Sequence, residues 1–240
     1  YDNEGSSNDG CNETYRGFSQ FSEPETQAVR DFVEAREFKI ALNYHSYSNL
    51  LIYPFGYTYN NVVPEDDLEI FIEYGEDMVQ YNGYELGTGP ELLYTVNGEA
   101  CDWMYGDQGI YAYTPEIGSS SDGFWPATSR IVPLAEENLY PNQFLALSAG
   151  PKYSMQSSVS DGPYTYGNSY PIYISVTNTG LSESNGDLVI SLESSGLVSF
   201  SDNDISVNSL ESRETVDLGD LMTFQLASSS YRGLTETITV

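Results

Sequence analysis

The chain has one histidine in 240 residues, and this histidine follows a short alternating segment. Residues 39–45 alternate between an apolar face and a mixed face, which predicts a strand that ends at His45. Imidazole is a common zinc ligand, although a lone histidine near the end of a strand is more often structural. His45 is therefore a candidate metal ligand, and the residues around it must decide between this role and a structural one.

Glu116 is a second candidate for chemistry. It ends another predicted strand, residues 110–116, which is rich in aromatic and apolar residues. A glutamate in an acidic protein is most often a solvated surface carboxylate. Sites in open α/β sheets, however, lie beyond the carboxyl ends of the strands. Because both predicted strands end at a residue that can do chemistry, we expect His45 and Glu116 to face one pocket.

Helical patterns precede and follow these two strands. Ser22 and Glu25 form a capping-box pattern at the start of a predicted helix over residues 23–36. Residues 130–148 predict a later helix, which Pro141 should kink or break. Strands that alternate with helices predict an α/β fold, a three-layer sandwich around a mixed sheet.

Another helix is predicted after Pro64, where an acidic first turn precedes apolar residues at helical spacing. The glycines at positions 83, 87 and 89 are predicted to end this helix and to begin a loop.

The composition changes after Gly150, where Ser, Thr, Asn and Gly become frequent and short alternating runs begin. The runs predict strands at residues 170–177, 187–192, 205–207, 222–226 and 235–240. We expect two domains, residues 1–149 and 150–240. The second domain is predicted to be an all-β sandwich, similar to the immunoglobulin-like modules that follow secreted bacterial peptidases.

Several segments in the first domain carry a further resemblance. His45 begins the triplet His-Ser-Tyr, and residues 50–57 then read Leu-Leu-Ile-Tyr-Pro-Phe-Gly-Tyr. Residues 93–106 and 109–116 are two further segments that follow in the same order along the chain. These segments resemble the zinc carboxypeptidases of the carboxypeptidase A and carboxypeptidase T kind. The resemblance implies their mixed-sheet fold and the zinc-dependent removal of C-terminal residues from peptides.

The resemblance also implies roles for the two strand-end residues. His45 would be a zinc ligand. Glu116 would be the catalytic residue, which deprotonates the zinc-bound water and passes the proton to the leaving amine. Cis peptide bonds are expected after Ser46 and after Pro54, as in the family.

Four other residues acquire substrate-binding roles from the resemblance. Tyr94 corresponds to the mobile tyrosine that covers the substrate and binds its carboxylate. Ser46 and Tyr47 would line the pocket beside the metal. Glu99 lies near a position where an acidic residue favours a C-terminal Lys or Arg by charge pairing.

One part of the family pattern is not in this sequence. A catalytic zinc needs three protein ligands, and the family takes two of its ligands from a His-x-x-Glu motif. With His45 as the only histidine, the chain has no such motif. We therefore expect it to be the C-terminal part of a catalytic domain with an accessory domain, inactive alone. The alternative is an extracellular binding or adhesion module with a degenerate peptidase half.

Composition narrows the choice of partners. A net charge of −28, spread over both predicted domains, is repelled by nucleic acid and by anionic membranes. No apolar run in the sequence has the length of a membrane span. The resemblance implies that peptide or protein C-termini are the substrates and that the protein is secreted and bacterial. Cys11 and Cys101 are too few for a disulfide scaffold; they could be free or paired.

Overall fold

In the computed structural model, residues 5–60, 62–219, 221–228 and 236–240 are described. The chain divides into two units, Tyr1–Ala146 and Leu147–Val240. Among the described residues, no helix is long and apolar enough to cross a membrane.

The described part of the first unit contains a four-stranded mixed sheet. Its strands are β1 (Ile40–Leu42), β2 (Leu50–Tyr53), β3 (Glu85–Thr88) and β4 (Tyr111–Glu116). Their spatial order is β1-β4-β2-β3, in which β4 runs parallel to β1 and antiparallel to β2. Because β1 and β4 are parallel, their carboxyl ends lie at the same edge of the sheet.

Helices accompany this sheet along the chain. They are α1 (Pro24–Glu34), α2 (Glu65–Val79), α3 (Gly89–Leu92), α4 (Ala100–Gly106), α5 (Thr128–Glu137) and α6 (Leu139–Ser148). The mixed sheet with its helices has the predicted α/β character.

The core of this unit forms where α2 packs on the sheet. Phe71, Tyr74 and Met78 of α2 are fully buried, as is Tyr113 of β4. The Tyr113 hydroxyl donates a hydrogen bond to the Phe71 carbonyl oxygen over 3.0 Å. Burial of four large side chains provides much of the hydrophobic stabilisation of the layer that holds β4 in place.

The region after α2 was predicted to be a loop, but it contains a strand. Glu85–Thr88 forms β3, which pairs in parallel with β2. A Cβ atom at Gly75 of α2 would lie only 2.5 Å from a methyl carbon of Leu86. The missing side chain at Gly75 therefore lets Leu86 pack against α2, and this tertiary contact overrides the weak local strand signal.

Two helix boundaries also differ from their predictions. The capping box of Ser22 and Glu25 does not form, because Pro24 opens α1 and Glu23 is the N-cap without a side-chain cap. The predicted helix over residues 130–148 is two helices, separated at Asn138. Pro141 has no N–H to donate to the carbonyl four residues earlier, so the first helix ends before it.

The second unit consists of strands in its described part after α6. They are β5 (Tyr153–Val159), β6 (Ser169–Asn178), β7 (Leu188–Ser191), β8 (Val198–Phe200), β9 (Asp204–Val207), β10 (Thr215–Asp217) and β11 (Met222–Leu226). Among the described residues, β5, β6, β8, β10 and β11 form one antiparallel sheet and β7 pairs with β9. The sequence did not indicate β5, β8 or β10.

Alternate residues of β6 supply the centre of this unit's apolar core. Ile172, Ile174 and Val176 are buried against a cluster that includes Leu192 and Met222. The predicted strand over residues 235–240 begins at a residue outside the described ones. Within that segment, Thr239 pairs with Glu193 in a single antiparallel bridge.

Candidate active site

The backbone brings His45 and Glu116 together. Beyond the last residue of β1, the His45 N–H donates to the Pro115 carbonyl over 2.8 Å, and the Ile117 N–H donates to the His45 carbonyl over 3.0 Å. These bonds continue the parallel pairing of β1 and β4, and make His45 and Glu116 bridge partners. The shared edge of two parallel strands is therefore what aligns the two residues.

A cavity of about 230 Å³ lies at this edge. Four of the residues singled out in the sequence line it: His45, Tyr94, Glu99 and Glu116. The rest of its lining is Ile52, Gly89, Leu93, Val96, Asn97, Gly98 and Thr114. Apolar walls with a few converging polar groups are typical of a small-molecule site.

Two other residues singled out in the sequence lie elsewhere. Among the described residues, Ser46 and Tyr47 are not part of the cavity lining. The Tyr47 ring instead packs edge-on against Phe124, with 4.9 Å between ring centroids. The expected cis bonds are present, at Ser46–Tyr47 and at Pro54–Phe55.

Tyr94 lies at the mouth of the cavity. Its side chain belongs to the lining and is 64% exposed. It follows α3, whose capping box joins Thr88 and Glu91. A tyrosine that is largely exposed on a loop after a short, capped helix can reach a ligand without leaving a core position.

Glu99 is the carboxylate inside the cavity wall. Its Oε1 accepts a hydrogen bond from the buried Thr114 hydroxyl over 2.9 Å. Its Oε2 lies beside Gly56, where a Cβ atom would approach it to 2.6 Å. Burial raises the pKa of Glu99, and the Thr114 hydrogen bond and the positive form of His45 oppose that rise. One carboxylate oxygen is thus fixed by Thr114 and the other remains for a ligand.

Glu116 is half-buried at the end of β4. Burial raises its pKa; His45 lowers it, and the negative charge of Glu99 raises it further. A raised pKa brings a carboxylate closer to the range in which it can both take up and release a proton.

Asp102 contacts the backbone beside this pocket. From the sequence, Asp102 was expected only to begin a helix. Its two oxygens accept the Gly56 N–H over 2.9 and 3.0 Å. Burial, together with the nearby charge of Glu99, raises the pKa of Asp102 to about 7, against the effect of its backbone hydrogen bonds. Asp102 therefore anchors the Gly56 backbone that lies against Glu99.

The described residues do not by themselves fit a catalytic zinc. Among them, no group of three His, Cys, Asp or Glu side chains is arranged to hold a metal ion. The sequence offers a single imidazole, whereas a catalytic zinc takes three protein ligands. Of the two states that the sequence left open for the cysteines, the structure has the free one: Cys11 is exposed and Cys101 is buried, and they are not bonded to each other.

Comparison with known proteins identifies the fold and the family. The family model described as zinc carboxypeptidase matches residues 1–141, more than half of the chain. The chain belongs to the zinc carboxypeptidase family. Zinc carboxypeptidase A 1 of Anopheles gambiae is 36% identical over 145 residues, which are 57% of this chain and 34% of that protein. Carboxypeptidase B of Astacus astacus is 35% identical over 146 residues, 57% of this chain and 48% of that protein.

A solved structure agrees with these relatives. Bovine thrombin-activatable fibrinolysis inhibitor, in complex with tick carboxypeptidase inhibitor, superposes with a TM-score of 0.54 at 32% sequence identity. The match covers 60% of this chain and 51% of that chain. This part of the chain therefore has a carboxypeptidase-like fold, a mixed sheet with helices. The chain spans between a third and a half of the length of the relatives named here.

Proposed function

We propose that this chain contributes to a zinc-dependent carboxypeptidase, which removes C-terminal amino acids from peptides or proteins. The observation that carries the proposal is the pairing of His45 with Glu116 at one edge of the sheet, facing a common cavity. Membership of the zinc carboxypeptidase family supports it.

In this proposal Glu116 is the proton-transfer residue. It takes a proton from the water that attacks the scissile carbonyl and gives it to the leaving amine. The raised pKa of Glu116 suits this task, because the group must accept and release a proton in one cycle.

Tyr94 and Glu99 are proposed to bind the substrate. Tyr94, exposed at the cavity mouth, donates its hydroxyl to the C-terminal carboxylate. Oε2 of Glu99, the oxygen that Thr114 does not contact, is proposed to bind the side chain of the C-terminal residue. Because this carboxylate is negative, Lys and Arg are the favoured C-terminal residues. Ser46 and Tyr47 stay proposed as substrate contacts next to His45, outside the cavity lining.

Zinc is proposed as the cofactor of the whole enzyme, with His45 as one ligand. The described residues supply no complete ligand set, so the remaining ligands are proposed to come from polypeptide outside these 240 residues.

The second unit is proposed to be an immunoglobulin-like accessory module over residues 150–240. Its described elements after α6 are strands, and they surround one apolar cluster. We propose support or surface attachment as its role, and secretion from a bacterium as the setting.

A different class of function is favoured by one observation, the single imidazole. A carboxypeptidase fold without its metal ligands would be an extracellular binding module, with the same cavity binding peptide C-termini and releasing them unchanged. Peptide hydrolysis separates the two functions. The natural gene product that contains this chain is incubated with peptides ending in Lys, Arg or Leu, with and without a chelator. Chelator-sensitive release of the last residue supports the enzyme; peptide binding without release supports the module.

A further inference from the structure

The loop that carries Tyr94, residues 93–98, forms a large part of the cavity wall. It lies between α3 and α4. One main-chain hydrogen bond, from the Val96 N–H to the Gly56 carbonyl over 2.9 Å, joins this loop to the chain beside the cavity. The position of the loop sets the shape of the cavity mouth, because the lining includes Leu93, Tyr94, Val96, Asn97 and Gly98.

A second segment, residues 5–7, contacts the same loop from an early part of the chain. Gly5 has a φ of +78°, and a Cβ atom there would lie 2.4 Å from the Thr95 carbonyl oxygen and 2.5 Å from the Val96 Cα. Both distances are well inside van der Waals contact, so the Gly5 backbone lies directly against the Thr95–Val96 peptide. Glycine satisfies both conditions at this position, the positive φ and the close approach.

Ser6 adds a side-chain contact to the cavity wall. Its Oγ accepts hydrogen bonds from Asn97 Nδ2 and from Arg16 Nη1, each over 3.4 Å. Hydrogen bonds of this length are weak, so the backbone contact of Gly5 is the stronger of the two links. Both links nevertheless end on residues of the same loop.

Residues 5–7 are themselves anchored. The Ser7 N–H donates to the Thr14 carbonyl over 2.9 Å, and the Arg16 N–H donates to the Ser7 carbonyl over 3.0 Å. The Thr14 N–H in turn donates to Oδ1 of Asn12 over 2.9 Å. The segment therefore presents a fixed surface to the loop that it contacts.

We propose that residues 5–7 are a brace for the Tyr94 loop, and that Gly5 and Ser6 are positioning residues for substrate binding. In the described part of the chain, neither residue lines the cavity, so both act through the loop. A loop that is already held in place loses less freedom when a ligand binds, so the brace contributes to affinity and not to the chemical step. This proposal rests on the proposed function in taking Tyr94 as a substrate contact.

Hydrogen exchange at the Val96 amide measures the brace in the 240-residue chain without any assay of activity. Gly5→Ala places a methyl group where the Thr95 carbonyl lies, so the loop or the brace must move. The Val96 amide should then exchange roughly ten-fold faster, because its hydrogen bond to Gly56 opens more often. The Ile117 amide, which lies at the other wall of the site, should keep its wild-type rate.

Gly83→Ala is the matched control for backbone strain. Gly83 also has a positive φ, of +67°, but no described atom lies within 4 Å of a Cβ atom added there. This variant has the strain of alanine at positive φ without the contact, and should leave exchange at Val96 unchanged.

Kinetics of the natural gene product test the effect on substrate binding. In Gly5→Ala, KM for release of a C-terminal residue should rise roughly ten-fold, while kcat stays within about two-fold of wild type. A variant that only loses stability would lower the amount of active enzyme and keep the wild-type KM. An unchanged KM together with faster exchange at Val96 would contradict a role in substrate binding.

Two exchange results would overturn the brace: the same Val96 rate in wild type and Gly5→Ala, or an equal increase at Val96 and Ile117. If the amide spectrum shows that Gly5→Ala is unfolded, Ser6→Ala decides. It removes only the hydroxyl and should speed exchange at Val96 about three-fold, and an unchanged rate would contradict the proposal. Failure of peptide hydrolysis would contradict the proposed function and leave the exchange result unaffected.

Discussion

His45 and Glu116 face each other across the ends of two parallel strands, with the backbone of His45 bonded on both sides of Glu116, to Pro115 and to Ile117. The relation depends on main-chain hydrogen bonds and not on the side chains that would do chemistry. The pair can therefore keep its alignment in variants of either side chain, so substitutions can test function separately from folding.

Zinc binding by the isolated 240-residue chain is expected to be weak. One imidazole and neighbouring carboxylates do not make the three-ligand set of a catalytic zinc. Equilibrium dialysis followed by metal analysis should find far less than one zinc per chain at micromolar free metal. One tight zinc per chain, lost in His45→Ala, would contradict this.

Glu99 is expected to control the preference for the C-terminal residue. Glu99→Gln keeps the size of the side chain and can keep the hydrogen bond from Thr114, and it loses the negative charge. In the natural gene product, the ratio of kcat/KM for peptides ending in Arg to those ending in Leu should fall roughly ten-fold. Glu69→Gln, on the exposed side of α2, is the control. An unchanged ratio in Glu99→Gln would exclude Glu99 as the specificity residue.

Asp102 is expected to make the first unit less stable as the pH rises. Its pKa is raised to about 7 in the folded chain, above the value of about 3.9 for an unfolded aspartate. Between these values the native state binds more protons than the unfolded state, so the free energy of unfolding falls as the pH rises from about 4 to about 7. In Asp102→Asn, the free energy of unfolding should fall less over this pH range.

Urea unfolding followed by tryptophan fluorescence measures this effect, because both tryptophans, Trp103 and Trp125, lie in the first unit. Asp107→Asn, at an exposed aspartate, should keep the wild-type dependence on pH. An equal pH dependence in wild type and Asp102→Asn would show that the carboxyl is not held in its neutral form.

Asn178 is expected to organise the second unit. Its buried amide accepts the N–H groups of Lys152 and Gly180 and donates to the carbonyl oxygens of Ser182 and Glu211. Asn178→Ala leaves these groups without their partner and should cost about 3 kcal/mol. Hydrogen exchange at the Gly180 amide should become roughly a hundred-fold faster, since each 1.4 kcal/mol is a factor of ten. Asn208→Ala, at an exposed asparagine, should change this exchange rate little. Unchanged protection of Gly180 would mean that the amide is replaceable by water.

The position of Glu116 at the end of a strand could be predicted because it is local, whereas β1 ends at Leu42 and His45 lies three residues beyond it, in an isolated bridge. Alternation over a few residues indicates each strand, and a parallel arrangement brings the two ends to the same edge. The cis bonds at Ser46–Tyr47 and Pro54–Phe55 followed from the family resemblance and are confirmed.

Other features depend on contacts that are distant in sequence. The strand Glu85–Thr88 is short and contains a glycine, and it forms because Leu86 fits against Gly75. Thr114 and Asp102 matter through contacts with Glu99 and Gly56, tens of residues away in the case of Asp102. A single sequence carries no signal for such contacts.

The central claim is that Glu116 performs proton transfer in a zinc-dependent carboxypeptidase. The most direct measurement compares zinc content and turnover of the natural gene product in wild type and Glu116→Gln. We predict that the variant retains the zinc stoichiometry of wild type, while kcat for release of the C-terminal residue falls by about 10²–10⁴. A zinc-loaded variant with wild-type turnover would contradict the claim, and a zinc-loaded wild type without turnover would favour the binding module.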